Sequence, residues 1–111
     1  MSTENAFTLI AQSAVELVAQ HPIVPGRVSP MRVLDAPGAR VMHLAIAAGA
    51  ELREHKAPAP ILIQAIVGEV RVTTADEDVT LAPGGTVHIA ANVPHAVSAE
   101  HDAHMLLVLL R

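Results

Sequence analysis

From residue 31 onward the chain is written in short apolar or alternating runs, each closed by turn-forming residues. The runs cover 32–36, 40–47, 51–57, 61–67, 69–74, 79–82 and 86–90, and a last run, 95–110, is interrupted at 100–102. Between them stand Pro37-Gly38, Gly49, Pro58 with Pro60, Gly68, the acidic stretch 76–78 and Pro83-Gly84-Gly85. Many short strands at a spacing of roughly 8–12 residues predict an all-β sandwich or barrel. The stretch 105–110 is continuously apolar, the pattern of a strand buried on both faces. One face belongs to the interior, and the other needs either the N-terminal segment or a second subunit.

The first 30 residues read differently. Phe7, Ile10, Ala11, Ala14, Leu17 and Val18 fit a helical face, while Phe7, Leu9, Ala11, Val15 and Leu17 nearly fit alternation. The Ala, Gln and Glu content of 6–20 favours a short helix, with Thr3 or Asn5 as its cap. Residues 21–30 hold Pro22, Pro25, Gly26 and Pro30 and form a connector. The expected organisation is one domain, with a helix and connector over 1–28 and a barrel over 29–111.

With 111 residues, 51% of them hydrophobic, the chain builds a core without covalent staples. It has one Phe and no Tyr or Trp, which argues against a sugar platform or a base-stacking surface. A net charge of −4 without a basic stripe argues against nucleic-acid binding. With no Cys there is no thiolate site and no cysteine nucleophile. No apolar run approaches the roughly 18 residues of a membrane span. The start of the chain lacks a basic, then apolar, leader. A soluble, cytoplasmic protein is the expectation.

Chemistry concentrates in two glycine-punctuated segments. In the first, Gly49 precedes His55, and Gly68-Glu69-Val70 closes the following run; in the second, Gly84 leads to His95. The pair resembles the two motifs of the cupin superfamily over residues 30–110. In that pattern the second histidine of the first motif falls on Ala57 and its glutamate on Ile61. In the second motif the proline position is Ala90, the second glycine is Asn92 and the closing asparagine is Ala99. Asn92 suits a glycine position because Asn tolerates left-handed backbone angles. The resemblance implies an antiparallel β-barrel or jelly roll with a short N-terminal helix, and a homodimer paired through sheet edges.

It also implies a divalent transition metal (Zn, Ni, Fe, Mn or Cu) held by His55 and His95, with imidazole suited to such ions. Two nitrogens make a weak, exchangeable site, so a third ligand is needed for tight binding. His88, one strand before His95, is the first candidate. His43 and His88 otherwise read as ordinary sheet residues, His101 and His104 as a solvated turn, 76–78 as a hairpin turn and Lys56 as surface. Ser98 near His95 has no recognisable partners for nucleophilic catalysis. Without Tyr, the histidine–tyrosine chemistry of the sugar-epimerase branch does not carry over.

The leading functional expectation is a small-molecule-binding protein whose ligand lies among His55, His95, Ala57, Ile61 and Ile63 at the barrel mouth. A metal-dependent oxygenase or isomerase, and a non-catalytic sensor or scaffold, are the alternatives.

Overall fold

The computed structural model describes residues 6–111. Thr3 and Asn5, the expected helix caps, lie outside the described residues. The helix α1 runs Ala14–Gln20, shorter than the 6–20 pattern allowed, and Ser13 caps it by accepting from the Glu16 N–H. Nine strands follow: β1 (Val28–Ala36), β2 (Ala39–Ile46), β3 (Glu51–His55), β4 (Ile61–Val67), β5 (Val70–Thr73), β6 (Asp78–Leu81), β7 (Thr86–Ile89), β8 (His95–Ser98) and β9 (Ala103–Leu110). The connector ends earlier than its prolines suggested. Pro30 sits inside β1, an edge strand, where a missing N–H is tolerated.

The strands form two antiparallel sheets, a five-stranded one in the order β1-β2-β9-β4-β7 and a four-stranded one in the order β3-β8-β5-β6. Leu44, Ile46, Ile61, Ile63 and Met105 from the first meet Val70, Val72, Leu81 and Val97 from the second in one core. The apolar run 105–110 is explained by this arrangement. It lies in β9, flanked by β2 and β4, with Met105, Leu107 and Leu109 on the core side. Leu106, Val108 and Leu110 lie half-buried on the outer face. Asp76 and Glu77 lie in the β5–β6 hairpin turn, and Asp78, the first residue of β6, pairs with Arg71 at 2.6 Å.

Asn92 is the non-glycine residue with a left-handed backbone, φ 64°, among the described residues. Its N–H donates to the Ala57 carbonyl at 2.7 Å, tying the β7–β8 loop to the segment after β3. Asn92→Ala is expected to cost about 1–2 kcal/mol, and Asn92→Gly to leave stability nearly unchanged. Denaturant midpoints of the two variants check this, and an equal loss in both would mean that the amide side chain, not the backbone angle, matters.

Candidate functional site

His55 and His95 stand opposite each other across β3 and β8. Their ring centroids are 4.3 Å apart with planes inclined at 61°. A backbone irregularity brings this about. Leu52 pairs with Val97 and His55 with His95, so β3 carries one more residue than β8 between the two pairings. Strict alternation from the core-contacting Leu52 would turn Glu54 inward and His55 outward. The bulge reverses the parity, so His55 shares a face with Leu52, His95 and the core residue Val97. Bulges beside sites re-aim side chains in this way.

The two rings are held alike. The His55 Nδ1 lies 3.0 Å from the Arg53 carbonyl, and the His95 Nδ1 lies 2.9 Å from the Val93 carbonyl. A carbonyl only accepts, so each Nδ1 carries the proton and each Nε2 keeps its lone pair. This is the tautomer that a metal-binding histidine adopts when a backbone oxygen orients it. His95 is 1% exposed, and its Nε2 is buried without a hydrogen-bond partner. His55 is exposed, so the pair reaches from solvent to the interior.

The other expected site residues fall in different places. Ala57 is half-buried against the core, whereas Ile61 and Ile63 are 2% and 0% exposed on the core face of β4. They present almost no surface to a water-sized molecule. His88 is exposed on β7. It lines a slot of about 430 Å³ with Val72, Val79, Val87, Ile89 and Val93, which neither His55 nor His95 lines. Among the described residues no three His, Asp or Glu side chains gather closely enough to hold a metal ion, so His88 does not complete the His55–His95 pair. Lys56 is exposed, as expected.

His104 does not lie in a solvated turn: it is 3% exposed within β9, and the interruption ends one residue before that strand begins. With His43, 0% exposed on β2, it forms a second histidine cluster that the sequence reading missed. The available signal was parity. His43 and His104 each alternate with core residues, Met42 and Leu44 in one strand and Ala103 and Met105 in the other. A polar residue at the outward position of a strand this apolar needs a partner.

Comparison with known proteins agrees with the fold. The family described as a cupin domain matches residues 42–110. No curated protein matches the chain. Among solved structures, a cupin superfamily protein from Desulfitobacterium hafniense is 19% identical, covering 96% of this chain and 93% of its own, with a TM-score of 0.79. A protein from Thermus thermophilus is 25% identical over 85% of this chain and 92% of its own, with a TM-score of 0.77. A cupin 2 conserved barrel domain protein from Leptotrichia buccalis is 26% identical, with a TM-score of 0.80, over 86% of this chain and 47% of its own.

Proposed function

The chain belongs to the cupin family, and on that footing we propose that it binds a small molecule at His55 and His95, across a divalent transition metal that the two imidazoles hold. The observation that carries this reading is the shared tautomer: both Nδ1 atoms are spent on backbone carbonyls, leaving two Nε2 lone pairs for a ligand. The buried, unpartnered His95 Nε2 is costly unless something occupies it.

The donor set fits such an ion in part. Imidazole nitrogen suits Zn, Ni, Fe, Mn or Cu, but Ala57 and Ile61 offer hydrocarbon where the family pattern has donors. The protein therefore supplies two ligands, and water or the small molecule itself supplies the rest. When bound, the metal would act as a Lewis acid toward an oxygen of that molecule. Because His55 is exposed, the open positions face solvent, and binding is exchangeable. Ala57 leaves room beside the pair, while Ile61 and Ile63 close the interior below it in this reading. A homodimer formed through sheet edges, and a cytoplasmic location, complete the proposal.

A second reading has its own support. The full burial of Ile63 and near-full burial of Ile61 give a filled interior, which suits a sensor or scaffold that carries no ligand. Elemental analysis of chelator-free protein, loaded in turn with Mn, Fe, Ni and Zn, separates the two. Near-stoichiometric metal that vanishes in the His55→Ala/His95→Ala double variant is the expected result. No metal in either protein would reject the metal-linked site and favour the scaffold.

A further inference from the structure

Three histidines outside the proposed site meet on the outer face of the five-stranded sheet. His43 stands opposite Leu106 and His104 opposite Ala45, so the two histidines are diagonal neighbours on β2 and β9. His43 Nε2 and His104 Nδ1 share a hydrogen bond of 2.9 Å. His21, at the C-terminal cap of α1, sets its ring edge-on to His43 with centroids 5.0 Å apart. The His21 Nε2–H donates to the Ser29 carbonyl of β1. Leu17, one turn earlier, is 4% exposed. Residues 10–21 thus lie as a strap across the sheet. Ile10, Ala14 and Leu17 on the strap face Ile66 and Leu106 around a space of about 400 Å³.

Hydrogen-bond bookkeeping fixes how this cluster holds its protons. The bond between the rings takes one proton. The His43 Nδ1 is buried with no partner. If His43 donates from Nε2, that orphan is a bare lone pair; in the reverse arrangement it is a buried N–H, which costs more. Both rings are therefore neutral, with His43 the donor. Protonating His43 would create a buried, unpartnered N–H and a positive charge in an apolar setting. Protonating both rings would also remove the acceptor between them.

We propose that the cluster is a proton-operated latch: when His43 or His104 takes up a proton, the strap of residues 10–21 leaves the sheet and uncovers its apolar outer face. The charges facing the latch offer little relief. His104 and His21 act on His43, and both disfavour its cation. His104 feels His21 and one carboxylate, Asp102, whose Oδ1 also accepts from the Ala48 N–H at 2.8 Å. From β1 the neighbours of the cluster are the uncharged Ser29 and Met31, and from α1 the residue packed inward is Leu17. Burial first, then His104 and His21, hold the His43 pKa down to about 4, and burial and His21 lower that of His104. Opening lets both rings titrate in water, so acid favours the open form.

Hydrogen–deuterium exchange of the full chain, corrected for the intrinsic effect of pH, tests the latch. The amides of Leu17 and His21, bonded to the Ser13 and Val18 carbonyls, report the strap, and peptides from β4 and β9 report the sheet. Between pH 7.5 and 4.5, strap exchange is expected to rise about 50-fold while the sheet stays protected. In His43→Gln, which keeps a donor but does not titrate, the rise should shrink to a few-fold. Asp102→Asn keeps an acceptor for Ala48 but removes the charge favouring protonated His104 in the closed form, so closed His104 falls further below its value in water and the rise should grow. It serves if the His43 variant fails to fold. An unchanged strap at pH 4.5, an equal rise in His43→Gln, or sheet amides as weakly protected as those of the strap at pH 4.5 would each overturn the proposal. For Asp102→Asn, a rise no larger than that of the wild-type protein would do so.

Discussion

Gly68→Ala is expected to be among the most destabilising small substitutions in the chain. Gly68 links β4 of one sheet to β5 of the other, with φ 72°. A left-handed backbone costs an L-residue about 1–2 kcal/mol. At this site a methyl group would also stand 2.6 Å from the Asp102 carbonyl oxygen and 3.1 Å from the Ala103 Cα. Both are backbone atoms at the entry to β9, and they yield only if that central strand shifts. Overpacking of this kind adds about 1–3 kcal/mol. Gly49→Ala carries the first contribution alone, because Gly49 has φ 78° but nothing within 4 Å of an added Cβ. Urea unfolding should show a markedly larger loss for Gly68→Ala than for Gly49→Ala. Equal losses would mean that the close approach to β9 is not a real constraint.

The same two glycines show how far the sequence could be read. Turn residues and apolar runs mark where the chain reverses, because these depend on local backbone preferences and on period-two burial. The strands from 32 to 110 were legible for that reason, and so was Asn92 in its left-handed loop. What pattern alone could not deliver was anything set by an irregularity or by a partner distant in sequence. The bulge in β3 is of the first kind: alternation is blind to one inserted residue, yet that residue brings His55 to face His95. The second histidine cluster is of the other kind. His21, His43 and His104 are brought together by tertiary pairing across three elements. The motif positions Ala57 and Ile61 were visible as departures from a pattern. Only the packing shows that Ile61 belongs to the closed core.

Acidification from pH 7 to pH 4 is expected to remove up to about 3 kcal/mol of stability from the closed protein, most of it through His43. The sign follows from where the protons go. His43 binds a proton near pH 6.5 in the unfolded chain, but only near pH 4 when buried. Its contribution is therefore complete above about pH 6.5 and falls as the pH drops toward 4, because the unfolded state takes up a proton that the closed state refuses. His104 is lowered by the same burial and adds to the loss in the same direction. The carboxylates of Asp35 and Asp78, lowered by hydrogen bonds from Arg111 and Arg71, act in a different window. Their contribution is present above their ordinary value near 3.8 and fades below it, so they leave the range from pH 6.5 to 4.5 to the histidines. Urea midpoints at pH 7, 5.5 and 4.5 should fall steadily in the wild-type protein and much less in His43→Gln. Parallel curves for the two proteins would show that His43 does not titrate as its burial requires. The shape of the wild-type curve carries a further quantity. Once the strap opens, His43 titrates in water in the folded protein too, and the loss stops growing. The pH at which the curve flattens therefore measures the free energy that holds the strap to the sheet.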